Sequence, residues 1–133
     1  MFYDCLALSE LNLTNFFTDN VTDMSGMFVG CISLQELNLS NFNTNNVKDM
    51  SFMFWRCWFL TKLNISNFKT NNDTCMRHMF SECSELKEII FSKVNFKINK
   101  IDFKEMFHGC KKEFIDKIKD NLNIRNKFLK LNV

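Results

Sequence analysis

Apolar residues recur along this chain in two alternating rhythms. In the stretch Met27 to Phe52, Leu34, Leu37 and Leu39 are interrupted by polar Glu36, Asn38 and Ser40, and alternation with period two predicts a short strand buried on one face. Farther on, Met50, Met53, Phe54 and Cys57 stand at i, i+3, i+4 and i+7, which predicts one apolar face of a helix. Between the two lies Asn-Phe-x-Thr-x-Asn, Asn41 to Asn46, made of residue types whose side chains satisfy turn backbone. A strand, a corner and a helix are expected in that order.

The order repeats. Met-Phe-x-x-Cys begins at Met1, Met27, Met53, Met79 and Met106, with spacings of 26, 26, 26 and 27 residues. Strand triplets recur at Leu8/Leu11/Leu13, Leu60/Leu63/Ile65 and Leu86/Ile89/Phe91, and the corner returns at Asn15 to Asn20 and Asn67 to Asn72. A unit this short cannot bury its apolar face alone and is completed by its neighbours. The expected fold is an α/β solenoid of about four 26-residue strand-turn-helix coils starting near residues 1, 27, 53 and 79. Parallel strands would line one face and helices the other. From Lys93 the pattern decays, with Lys100 in place of Val21 and Val47 and Phe103 in place of Met24 and Met50. Lys111 to Leu131 then carries Phe114, Ile115, Ile118 and Leu122 on one helical face. The domain reading is therefore a solenoid over 1–110 and a C-terminal capping helix and tail over 111–133.

Leu-x-x-Leu-x-Leu with Asn in the following turn resembles the leucine-rich repeat. The fuller unit from Leu34 to Cys57, Leu-x-x-Leu-Asn-Leu-Ser-Asn-Phe-x-Thr-x-Asn-Val-x-Asp-Met-Ser-x-Met-Phe-x-x-Cys, resembles the BspA-like leucine-rich repeat of bacterial and protist surface proteins. The likeness runs well through residues 1 to about 92 and loosely through 93 to 110. It implies a right-handed leucine-rich-repeat solenoid, a cell-surface or extracellular location and adhesion to host, matrix or cell-surface proteins, with no enzyme activity.

Composition narrows the classes. With 46% hydrophobic residues in 133, the chain is one domain with a continuous core. The net charge of +2 conceals 2 basic and 6 acidic residues in 1–60 against 15 and 9 in 61–133, so the two ends suit different partners or each other. No stretch approaches the roughly 18–20 apolar residues of a membrane span, and the first residues lack a secretory pattern. Met1 already sits on the repeat position, so a fragment of a longer array is expected, with self-association through an uncapped N-terminal coil.

The cysteines do not form the closely spaced ligand pairs of a zinc site. Five stacked thiols cannot all pair with one another, so free thiols inside the helix face are expected. Cys75, standing where Asp23, Asp49 and Asp102 stand in other units, is the one thiol with a chance of exposure, and drift and redox use both fit it. Asn15, Asn41 and Asn67 align after the strand as a structural stack, whereas Asn12, Asn38 and Asn64 form an exposed row that either is simply solvated or meets a ligand. In the third unit Phe52, Trp55, Trp58 and Phe59 replace Gly26, Val29, Ile32 and Ser33 around Arg56. Such a cluster reads as core packing, as contact with the C-terminal segment, or as a partner surface. His78 and His108 read as exposed helix residues without a catalytic neighbour. A lysine-rich face on the last helix reads as solvated, with no nucleic-acid motif.

The chain is thus expected to be a non-catalytic protein-interaction module with no cofactor. Its protein or glycoprotein ligand would bind through Glu36, Asn38, Lys62, Asn64 and Glu88 on the strand face and through Phe52, Trp55, Arg56 and Phe59. The alternative is a cytoplasmic scaffold or self-assembling subunit with reduced thiols.

Overall fold

Strands form where alternation is strongest. In the computed structural model, which describes residues 1–71, 73–92, 95–96 and 105–121, β1 (Glu36–Asn38), β2 (Lys62–Ile65) and β3 (Glu88–Phe91) lie in that order as one open parallel sheet. Leu37 is in register with Leu63, and Leu63 with Ile89, so each pairing spans one sequence repeat. Leu37, Leu63 and Ile65 point into the core, while Glu36, Lys62 and Glu88 stand exposed.

The expected leucine-rich-repeat solenoid of four strand-turn-helix coils does not form. Among the described residues the sheet has three short strands, the Leu8/Leu11/Leu13 triplet forms none, and the first three units carry no helix on the opposite side. Met50 to Cys57 instead run as tight turns. Within them, Met53 N–H donates to Met50 carbonyl and Cys57 N–H to Phe54 carbonyl, at 3.3 and 3.1 Å. Alternate amides go to the next unit: Phe52 N–H to Arg77 carbonyl (2.9 Å), Phe54 N–H to Met79 (2.9 Å) and Arg56 N–H to Ser81 (3.0 Å). An α-helix requires those amides for its own i−4 carbonyls. The backbone also turns left-handed at Phe52 (φ 57°) and Arg56 (φ 61°), which a right-handed helix cannot contain. Met50, Met53, Phe54 and Cys57 still all reach the core, so the four-position pattern is satisfied by a pair of turns.

Phenylalanines fill the centre. Phe2, Phe28, Phe54, Phe80 and Phe107 stack in a column with ring centroids 5.5, 5.5, 5.6 and 5.4 Å apart. The one described helix, α1 (Lys112–Asn121), buries Phe114, Ile115 and Ile118 and sets the Phe114 ring edge-on against Phe107 at 5.9 Å. The expected helix ran from Lys111 to Leu131; Leu122 and the rest of 122–133, like Lys100, Asp102 and Phe103, lie outside the described residues.

Polar side chains, buried threonines and exposed asparagines alike, stitch the units together. Thr44 Oγ1 donates to the Lys69 carbonyl (3.0 Å) and accepts from Lys69 N–H (2.8 Å), and Thr18 does the same with Asn43 at 2.9 and 2.8 Å. Asn41 Nδ2 donates to the Leu13 carbonyl (2.9 Å) and Asn67 Nδ2 to that of Ser40. Among the described residues no buried side-chain polar atom lacks a partner, as a stable interior requires.

Candidate functional site

The outward row on the sheet is organised by a local bond. Asn12, Asn38 and Asn64 each turn Oδ1 toward the N–H two residues ahead, on Thr14, Ser40 and Ser66, all at 3.0 Å. This side-chain turn fixes the amide's rotation and leaves its NH2 group as an available donor. Asn38 and Asn64 are in register on β1 and β2, where parallel strands repeat about every 4.8 Å, and Asn12 makes the same local bond in the first unit, whose strand triplet is unpaired. The three asparagines line an open groove of about 980 Å³ together with Glu10, Glu36, Lys62 and Ile90. Lys62 Nζ lies 3.7 Å from Glu88 Oε2 and in register with Glu36. One base is thereby shared with Glu88, and the Glu10–Glu36 end of the groove remains acidic.

The aromatic residues of the third unit sit elsewhere, and none lines the groove. Phe52 stacks on His78 (centroids 5.0 Å, 20° between planes) and meets Trp55 edge-on at 5.8 Å. The Arg56 guanidinium lies 4.3 Å from the Trp55 ring centre, a cation–π contact. Trp58 and Phe59 are 45% and 56% exposed, so neither serves as core. No ring contact joins Phe59 to the Phe52–Trp55 pair among the described residues. Of the nine residues expected to bind, Glu36, Asn38, Lys62 and Asn64 meet in the groove with Glu88 paired to Lys62. Phe52, Trp55 and Arg56 meet at the turn, and Phe59 stands apart.

Sequence inspection missed a contact at His78, which lies in a left-handed turn (φ 53°) rather than on a helix. Its Nδ1 is 3.0 Å from Ser81 Oγ and its Nε2 is 3.6 Å from Glu105 Oε2. Serine, histidine and carboxylate in this order evoke a nucleophilic triad. The Ser81 hydroxyl, however, is 1% exposed and already donates to the Glu105 carbonyl at 2.5 Å. It therefore accepts Nδ1–H from His78, and the trio ties the turn to residue 105. His108 is exposed, 3.7 Å from Glu82.

Over residues 1–121 the sequence matches the family described as Mycoplasma protein of unknown function, DUF285. The chain belongs to the DUF285 family. No curated protein and no solved structure matches it.

In this DUF285 protein all six cysteines are free. Cys31, Cys57, Cys83 and Cys110 each donate S–H to the carbonyl of a phenylalanine one unit earlier, Phe2, Phe28, Phe54 and Phe80, at 3.0 to 3.2 Å. Burial pushes the Cys31 thiol up to about 11 and that of Cys110 to about 12, and raises the Cys57 and Cys83 thiols as well. Such thiols stay protonated and unreactive. Cys75 is half-buried in a backbone bridge beside Asp49. Its counterparts Asp23 and Asp49 accept from Ser25 and Ser51 N–H at 2.8 Å. The Ser25 bonds hold the Asp23 carboxyl below its usual range. Lys111 Nζ donates to Glu85 (2.7 Å) and holds that carboxyl low as well. Among the described residues no cluster of three or more His, Cys, Asp and Glu side chains could hold a metal ion. No helix there is long and apolar enough to cross a membrane.

Proposed function

We propose that this chain is a non-catalytic binding module that holds a protein or glycoprotein in the groove over its sheet. The observation that supports this most is the row of Asn12, Asn38 and Asn64, which line the groove with their carbonyl oxygens occupied locally, leaving the NH2 groups as donors. Donors held in place before binding lose little conformational entropy when a ligand arrives. The likeness of the Leu34–Cys57 motif to BspA-like surface proteins supports a cell-surface or extracellular setting and an adhesive role.

Asn38→Asp and Asn64→Asp keep the oxygen that makes the local turn and remove the NH2 donor. With the purified chain on protein and glycan arrays, the double variant is expected to lose capture while keeping its circular dichroism. Capture unchanged by the double variant overturns the groove as the site. Labelling intact cells with a membrane-impermeant reagent tests the location, since protection until lysis contradicts the adhesive role.

Exposed Phe52, Trp58 and Phe59 favour a second reading, a cytoplasmic scaffold that self-associates through this turn. Sedimentation velocity across concentration separates the two, because a monomer at all concentrations removes the scaffold.

A further inference from the structure

The backbone ladder is closed between β1, β2 and β3 but open on the other side of β1. Lys62 N–H donates to the Gln35 carbonyl (3.3 Å), and the Asn64 carbonyl accepts from Leu39 N–H (2.8 Å). From β3, Glu88 N–H likewise donates to the Thr61 carbonyl at 3.1 Å. The counterparts of Lys62 and Asn64 one unit earlier are Glu36 and Asn38. In a parallel strand alternate residues direct both backbone groups to the same side, so Glu36 and Asn38 address residues 7–12. No hydrogen bond joins β1 to that segment among the described residues. The opening is bracketed, because Ser33 Oγ donates to the Leu6 carbonyl (2.5 Å) below it and Asn41 Nδ2 to the Leu13 carbonyl (2.9 Å) above it. In between, the groove reaches past the outward side chains to Leu11 and Leu37. The equivalent Leu63 is sealed beneath the closed part of the ladder and does not line the groove. Leu11 is correspondingly half-buried where Leu37 and Leu63 are buried.

We infer that the gap between residues 9–12 and β1 is a docking slot for an extended, basic segment of another protein, which pairs its backbone with the edge of β1. This rests on the reading of the chain as a binding module and names its ligand class. Three features select the occupant. The backbone groups of Glu36 and Asn38 match another strand, which supplies donors and acceptors at the same spacing. Leu11 and Leu37 form an apolar floor for alternate side chains. Glu10 and Glu36 on the walls attract lysine or arginine at the positions between. A carbohydrate chain offers no continuous run of amides to match these groups.

The test uses the full chain and a fluorescein-labelled eight-residue peptide of alternating lysine and valine, titrated by fluorescence anisotropy. Companion peptides replace lysine with glutamate or carry N-methyl groups on alternate amides. The lysine peptide is expected to bind, the N-methylated one to fail, and Glu10→Lys/Glu36→Lys to weaken the lysine peptide by about tenfold while gaining the glutamate peptide. Equal binding of the N-methylated peptide reduces the contact to charge attraction and overturns the slot. If no peptide binds while the arrays still show Asn38-dependent capture, the slot falls and the binding module stands. Silence in both assays overturns both.

Discussion

On the sheet side of a repeat the backbone is extended, and equivalent positions keep similar side chains: Asn12, Asn38 and Asn64 make the same local bond three times over. On the turn side the chain passes twice through positive φ in each of three consecutive units. Equivalent positions there differ sharply, with Gly26 and Gly30 followed by Phe52 and Arg56 and then by His78 and Glu82. A left-handed residue other than glycine costs roughly 1–2 kcal/mol. The sheet side thus offers a regular array at low conformational cost, whereas the turn side holds large aromatic and charged groups in a strained backbone. Strain of this kind at Phe52 and Arg56, among exposed aromatics, is the pattern associated with contact surfaces.

Both sides rest on the phenylalanine column, so the comparison breaks first there. Phe54→Ala is expected to cost about 3–5 kcal/mol in urea denaturation and to abolish any binding by either side. Gly30→Ala loads the turn side alone. Its Cβ would fall 2.0 Å from Asp4 Oδ1, and with φ at 69° the loss should be at least about 1–2 kcal/mol. On the sheet side, Asn38→Ala should cost less than Gly30→Ala, and a reversed ranking by thermal denaturation would contradict the contrast in strain.

Alkali probes the interior that the two sides share. The folded Cys31 thiol titrates near 11 against a reference of 9.0, so the unfolded chain loses its proton first. Stability contributed by the neutral thiol is full below pH 9.0 and falls as the pH rises toward 11. Cys57, Cys83 and Cys110 act in the same direction. Denaturation midpoints at neutral pH and above pH 9.0 should show the decline, and Cys31→Ala should make it shallower.

Phe52→Gly sharpens the contrast because strain relief and lost stacking on His78 oppose each other. The net change in stability should stay within about 1 kcal/mol, while any self-association through the turn is lost. Lys62→Ala, which removes a half-exposed pair at 3.7 Å, should shift stability by no more than about 0.5 kcal/mol.

What the sequence disclosed divides along the same line. Alternation placed Leu37 inward and Glu36 and Asn38 outward, because a strand has a single side-chain period to read. Spacing at i, i+3, i+4 and i+7 also named Met50, Met53, Phe54 and Cys57 as inward residues, yet mistook how they get there. Two consecutive turns place apolar groups at nearly the same intervals as a helix. The clue was Met-Ser-Gly-Met-Phe-Val-Gly-Cys, where Gly26 and Gly30 stand at the two positions that need positive φ. Phe52 and Arg56 hide that requirement in the next unit. The gap beside β1 left no mark at all, since Leu8, Leu11 and Leu13 repeat the pattern of the paired units. His78, Ser81 and Glu105 meet only because the turns of successive units stack.

On the turn side, bonds that connect the second unit to the third have counterparts one repeat earlier. Phe28 N–H bonds Met53 as Phe2 N–H bonds Met27, Cys57 Sγ bonds Phe28 as Cys31 Sγ bonds Phe2, and Phe54 lies on Phe28 as Phe28 lies on Phe2. Excision of residues 27–52 would therefore present Phe2 with Met53, Cys57 and Phe54 in place of the groups it lost, and on the turn side the new junction would join chemically equivalent surfaces. A gene encoding such a chain can change length in whole steps of 26 codons without inventing a new interface, so slippage or unequal exchange between repeats is a route by which this architecture varies its reach while conserving its interior.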